Sequence, residues 1–310
     1  VPRQHELMDA IISGAAELGI AGNADFNGPR QDGVGYFQLT TRQGLRCSTA
    51  VAYLRPARGR ANLQICTHAQ ATRILFNGRR AVGVAYLQQG KPRQAQARRE
   101  LIIAAGAVHS PQLLQVSGIG EAAHLARIGV PLLLQRPEVG RNLQDHLQTR
   151  LMYKVGKPIT TNDDLRSLWG RTRIALQWLL WRTGPLAIGI NQGALFARVQ
   201  PDATRPDVQF HFGTLSADLA GARPHPWSGA TFSVCQLRPR SRGSVLARSA
   251  SMLEAPAIQP NYLSAAADRQ VAIAAVRLAR RLARSQALRP YLVEEYRPGA
   301  DCGDSDDELL

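Results

Sequence analysis

With 310 residues the chain is long enough for two domains, each with its own core, and 45% apolar against 20% charged residues argues against disorder. No apolar run approaches a membrane span and no basic-then-apolar leader opens the sequence; its net charge of +15 comes almost wholly from arginine, the lysines being Lys91, Lys154 and Lys157. Cys47, Cys66, Cys235 and Cys302 form no CxxC pair and no HxxxH or HExxH occurs, so neither a metal site nor a disulfide framework is expected, and four reduced cysteines point to the cytoplasm.

Residues Glu6–Leu18 place Leu7, Ile11, Ala15 and Leu18 at helical spacing, and Gly19 follows as a stop. A loop rich in Gly, Asn, Pro and Asp runs from Gly22 to Gly35, with a short strand expected at Tyr36–Thr40. Ser48 can cap a short helix reaching Leu54. Leu63–Thr67 reads as a strand. Arg73–Phe76 and Ala81–Gln88, joined by Asn77-Gly78, read as a hairpin. Gly90-Lys91-Pro92 turns the chain again, and Gln94–Ala105 rises from a polar half into Leu101-Ile102-Ile103-Ala104-Ala105. An apolar run without alternation predicts a strand buried on both faces of a covered, parallel sheet, hence an α/β arrangement.

A helix should follow, with Ser110 as its N-cap, Pro111 at its first position and Gly118 as its stop. A strand end, a glycine and a helix N-terminus in succession let a phosphate or ribose approach backbone. Beyond Asp145, Leu165–Arg182 predicts an aromatic and basic helix carrying Trp169, Trp178 and Trp181, closed by Gly184-Pro185. Packing on a sheet is the commoner use of such a helix, and lying on a membrane surface the other. Asp207–Phe212, Thr231–Leu237 and Ser244–Ala247 read as strands. Ala267–Leu288 is amphipathic, with Val271, Ala275, Leu278 and Leu282 inward and Arg277, Arg280, Arg281 and Arg284 outward. Two strand-rich stretches backed by helices predict two α/β-type domains, 1–150 and 151–310. Val1 in place of Met, and a helix start at Ser305–Leu310, lead us to expect an internal piece of a longer protein.

Two motifs invite other readings. Gly118-Ile119-Gly120-Glu121-Ala122-Ala123 fits GxGxxA, with Glu138 about 20 residues on, as in a dinucleotide fingerprint. The run before Gly118 reads as a helix, however, and the helix after it as too short. The Arg-rich helix 267–288 could serve a basic, non-enzymatic module that binds nucleic acid or anionic membrane. Because the arginines are spread along the whole chain, a solvated surface accounts for them better, and no nucleic-acid partner is expected.

The run Gly106-Ala-Val-His-Ser-Pro-Gln-Leu-Leu-Gln-Val-Ser-Gly-Ile-Gly120 resembles the second signature of the glucose–methanol–choline (GMC) oxidoreductases. Arg46–Leu54, Thr67–Ile74, Gly78–Val84, Val139–His146, Pro206–Phe212, Ser241–Val245 and Pro260–Ser264 are similar to that family as well, and in its order. The nearest flavour is choline dehydrogenase and the bacterial FAD-dependent alcohol dehydrogenases beside it. The resemblance implies an enzyme that takes hydride from the CH–OH carbon of a choline-like or other primary alcohol to FAD, giving an aldehyde. It implies a partial FAD-binding, Rossmann-like domain with a β-meander over 1–150, its first βαβ unit absent. Over 151–310 it implies a partial substrate domain, with a mostly antiparallel sheet backed by helices.

Carried over position by position, the family pattern puts backbone contacts to FAD at Ala71 for the adenine, and at Ala105 and Gly106 along the flavin nucleotide. Asn142, Asp145 and His146 fall in a stretch read as structural. The family's catalytic His lies in a His-Pro-x-Gly-Thr stretch, expected beyond Leu310; no catalytic residue is therefore assigned here, and His109, His146 and His211 are not promoted to that role. A piece without the pyrophosphate loop or the base is expected to be inactive alone. The partner implied is a small-molecule alcohol; the electron acceptor stays open, and the setting is cytoplasmic with room for peripheral contact with the inner membrane.

Overall fold

The computed structural model describes residues 4–219 and 221–310. By packing, the chain forms two compact units, one of Val1–Arg58, His146–Arg238 and Ala266–Leu310, the other of Gly59–Asp145 and Pro239–Ala265. Each is therefore assembled from separated stretches of sequence.

The first unit is built on a six-stranded sheet, antiparallel at every pairing. Its spatial order is Gly33–Tyr36, Asn191–Ala197, Val208–Gly213, Gly229–Gln236, Gln148–Val155 and Leu292–Arg297. Alternation along the middle strands sends Phe210, Phe212, Phe232, Leu151 and Tyr153 into one core. Phe232 meets Phe212 edge-on at 4.9 Å and Tyr153 at 5.0 Å. The helix Glu6–Glu17 packs Leu7, Ile11 and Ala15 into the same cluster, and the helix Ala266–Ala283 adds Val271, Ala275, Leu278 and Leu282. Those inward positions follow the helical period of the sequence. Gly19 ends the first helix in a left-handed conformation (φ 76°), donating to the Ala16 carbonyl while Ile20 donates to that of Ala15.

Two expectations for this unit need correction. Arg280 does not face solvent: its side chain is 7% exposed and pairs with Glu295 at 2.9 Å. The guanidinium also donates to the carbonyls of Cys302 and Gly303. Leu292–Arg297 and the segment after it cover that side of the helix, a tertiary event that helical periodicity does not register. The Trp-bearing segment is two helices, Thr161–Arg166 and Leu168–Trp181, broken at Ser167, whose backbone is extended (φ −110°, ψ 152°). Ser167 Oγ caps the second helix by accepting from the Gly170 N–H at 2.9 Å. That second helix buries only Gly170 and Ile174, so packing on a sheet, the commoner reading, does not describe it.

The second unit carries a three-stranded antiparallel meander, Ala69–Asn77, Arg80–Gln88 and Lys91–Gln96. Asn77 pairs with Arg80, so the predicted hairpin turns on Gly78-Arg79, one residue later than expected, with Gly78 at φ 56°. Against the first strand lies the helix Gly106–Val116, and Ile74, Leu113, Val116, Ala247 and Met252 form a small core. Ser117 ties the two elements together: its hydroxyl donates to the Leu113 carbonyl and accepts from the Ile74 N–H at 2.9 Å.

Three local expectations fail here. Leu63–Thr67 forms no strand. The helix begins at Gly106 rather than after Ser110, leaving Pro111 in its interior. Leu101–Ala105 is unpaired, with Ile102 80% exposed, so the covered parallel sheet is not formed. Parallel pairing among the described residues is confined to the two-residue one of Ile119–Gly120 with Leu134–Gln135 and the isolated bridge of Gly22 with Val34. The fold is thus mixed helix and strand with mostly antiparallel sheets, the α+β side of the expected class.

Candidate functional site

Ala71, Ala105 and Gly106 all fall in the second unit. Ala71 lies in the first meander strand opposite Tyr86, where the register shifts before Arg73. A bulge of this kind re-aims the backbone and frees groups from the ladder. Ala105 is the N-cap of the helix Gly106–Val116 and offers no side-chain cap, so the first N–H groups of that helix lack a local acceptor. Gly106 has φ 79°, and a Cβ there would meet nothing within 4 Å. Open space over an uncapped helix N-terminus suits the anionic part of a nucleotide. Contact between the helix and the strand Ala69–Asn77 is what brings these positions into one body.

The GxGxxA run does not offer such a cradle. It is preceded by a helix, and the helix after it, Ala122–Arg127, has six residues. Gly118 has φ 92°, and a Cβ there would press on the Pro131 carbonyl at 2.7 Å; at Gly120 the nearest atoms belong to the Leu125 side chain. These glycines accommodate the chain's own close approach, not a ligand's.

Asn142, Asp145 and His146 lie between the turn 137–140 and the strand Gln148–Val155. Asn142 adopts φ 58° and donates to Glu138, and Leu143 bridges to Gly243. The Asp145 carboxylate accepts from the Tyr262 hydroxyl, a bond that raises the phenol's pKa. His146 meets the Leu237 carbonyl at 3.1 Å.

The other two histidines not promoted to a catalytic role, His109 and His211, have different surroundings. His109 is exposed and lies 3.0 Å from the Gln112 side-chain oxygen. His211 stacks on Phe37 with ring centroids 5.6 Å apart. Burial holds the His211 imidazole below its usual pKa, and nearby His146 pushes the same way. Among the described residues no carboxylate is paired with any of the three; His109 meets an amide oxygen and His146 a backbone carbonyl instead. The neighbourhood of Phe37 and His211 was not legible beforehand, because Phe37 precedes its partner by more than 170 residues and no local spacing links them. Burial pushes the Cys235 thiol up to about 11, leaving it neutral and inert. No group of three or more His, Cys, Asp or Glu suited to a metal occurs among the described residues.

The basic-module alternative loses a central member, since Arg280 is buried in ion pairs with Glu295 and Asp304. Arg277 is paired as well, with Asp306 at 2.8 Å.

Two family models, both described as GMC oxidoreductase, match residues 1–148 and 239–309. The chain belongs to the GMC oxidoreductase family. Among curated GMC relatives, oxygen-dependent choline dehydrogenase of Burkholderia ambifaria is 39% identical over 309 residues, covering 99% of this chain and 54% of the relative. The same-named protein of Burkholderia vietnamiensis matches equally, and the chain spans about half the length of these relatives. Among solved structures, pyridoxine 4-oxidase from Mesorbium loti superposes with a TM-score of 0.82 at 25% identity, covering 98% of this chain and 56% of that one. A formate oxidase variant from Aspergillus oryzae, studied for its FAD modification, gives 0.88 at 22% identity, covering 98% and 57%, and supports the fold alone.

Proposed function

We propose that this GMC chain is part of an FAD-dependent oxidoreductase acting on the CH–OH group of an alcohol, choline-like or another primary alcohol, and releasing the aldehyde. The observation that carries this reading is 39% identity, sustained over 99% of the chain, to a protein named for choline oxidation. FAD, when bound, supplies the acceptor for the hydride leaving the carbinol carbon. The chain's own contribution is positioning. Ala105 and Gly106 present backbone N–H groups along the nucleotide, and Ala71 presents backbone to the adenine. The segments 1–150 and 151–310 divide as nucleotide and substrate regions in this reading. Its setting is the cytoplasm, with peripheral contact with a membrane.

The 310 residues alone should not turn over. The one GxGxxA run is not a phosphate cradle, and among the described residues none of His109, His146 and His211 has a carboxylate partner. Purified with excess FAD and desalted, the chain should retain less than stoichiometric flavin absorbance, and a bound yellow cofactor would refute that. The product of the complete reading frame should bleach its flavin anaerobically on addition of choline or another primary alcohol. An unbleached flavin across a panel of alcohols would sink the proposed reaction.

A further inference from the structure

The helix Leu168–Trp181 turns most of its apolar side chains to solvent. Leu168, Trp169, Leu176, Leu179, Leu180 and Trp181 are between 47% and 81% exposed. Spacings of three, four and seven residues put Leu168, Trp169, Leu176, Leu179 and Leu180 on one broad face. The 3-10 turn Pro185–Ala187 packs against this helix and adds Leu186, which is also exposed.

The helix is firmly held on its other side. A Cβ on Gly170 would clash with the Asp164 carbonyl, so the backbones touch there. Trp178 donates its indole N–H to the Gly44 carbonyl at 2.9 Å, and Ile174 is buried. The outward face is thus presented by an anchored element.

Charge around that face has one sign to spare. Arg166, Arg171 and Arg173 flank it, Arg182 being stacked on Trp178 at 4.1 Å on the anchored side, while the acids nearby, Asp163 and Asp164, are already taken up by Arg166 and Arg173. Arg166 and Arg173 remain more than half exposed in spite of those pairs. A second copy of the chain docking here by two-fold symmetry would set this arginine rim against itself. An anionic lipid surface matches both features, offering an acyl boundary to the leucines and phosphates to the arginines; indole rings favour the same boundary. No helix among the described residues is long and apolar enough to cross a membrane, so the contact would lie in the interface plane.

We propose that the exposed face of Leu168–Trp181, with its arginine rim, docks the chain onto an anionic phospholipid bilayer. This rests on the peripheral membrane contact of the proposed function, and stands apart from its alcohol-oxidation chemistry.

The test uses the 310-residue chain with vesicles of phosphatidylcholine, alone or mixed with phosphatidylglycerol. Expected are co-sedimentation with the mixed vesicles, a blue shift of tryptophan emission, and affinity at least about tenfold lower for phosphatidylcholine alone. The triple variant Leu176→Ser, Leu179→Ser, Leu180→Ser changes only exposed side chains and should melt like the parent while losing about tenfold or more in binding. Should that variant fold poorly, Arg171→Gln with Arg173→Gln gives a second reading: it should abolish the preference for the anionic vesicles. Absence of binding at low salt, or binding undiminished in the variants that fold, overturns the proposal. A concentration-dependent dimer that the leucine variant dissolves, without lipid binding, would assign the face to a second copy instead.

Discussion

The two units contain similar kinds of elements but differ in how completely they bury them. In the first, both helices flanking the six-stranded sheet deliver their apolar faces to a core that includes Phe210, Phe212 and Phe232. In the second, the core is a cluster of five buried residues beside a meander whose last strand, Lys91–Gln96, is exposed throughout. Its most apolar run, Leu101–Ala105, lies unpaired. Hydrophobic burial is the dominant favourable term in folding, so the first unit should carry most of the chain's stability. The second should unfold at lower denaturant.

The sharpest way to break this contrast is at Phe232, which is fully buried between Phe212 and Tyr153. Phe232→Ala removes a ring and leaves a cavity, a loss of about 3–5 kcal/mol. Urea melts followed by hydrogen exchange should show the first unit's transition moving toward that of the second. A melt in which both units shift together would mean that they unfold as one body.

Arg280 tests the same unit electrostatically. Its side chain is 7% exposed and hydrogen-bonded to Glu295, Cys302 and Gly303, so Arg280→Ala strands a largely buried carboxylate at Glu295 and two carbonyls. We expect a loss of about 3 kcal/mol, read as a lower urea midpoint. Exchanging Glu295 for Gln as well should recover part of it, because the orphaned charge is then gone.

In the second unit, Ser117→Ala removes the hydroxyl that joins helix to strand and leaves the Ile74 N–H without its acceptor. That should cost about 1–3 kcal/mol and show as faster amide exchange confined to Ile74 and its neighbours. Exchange unchanged there would mean that water replaces the hydroxyl and that this core is looser than its burial suggests.

How much of this was visible in the sequence follows the distance over which each feature is decided. Leu7, Ile11 and Ala15, or Val271, Ala275 and Leu278, announce their burial through local period, and those helices lie where the spacing puts them. The strands Gln148–Val155, Asn191–Ala197 and Leu292–Arg297 escaped, and with them the six-stranded sheet, because partners as far apart in sequence as Gly33 and Phe196, or Met152 and Arg297, leave no nearby trace. Arg280 was misplaced for the same reason: its carboxylate partner arrives from another element. Of the candidate site, Gly106 was read as a glycine between a strand and a helix; the helix is there, with Gly106 at φ 79°, and the strand is not. Ser110 was overvalued as a cap, because helical geometry already begins at Gly106.

The smallest expected effect is the most informative about Leu101–Ala105. An apolar run without alternation predicts burial on both faces, yet Ile102 is 80% exposed and has no strand beside it. Ile102→Ser in this chain should therefore change stability by no more than about 0.5 kcal/mol, as surface substitutions do. The physical content lies in the contrast with the product of a longer reading frame. If a neighbouring strand pairs with this run there, the same substitution buries a hydroxyl in place of an apolar side chain and should cost about 2–5 kcal/mol. Equal, small effects in both proteins would mean that the run is surface in its own right, and that its composition misled the expectation of a covered sheet. A large effect in the 310-residue chain would instead show Ile102 buried in solution, by self-association or by a rearranged second unit. Melts at two protein concentrations separate those cases, since only self-association makes the midpoint depend on concentration.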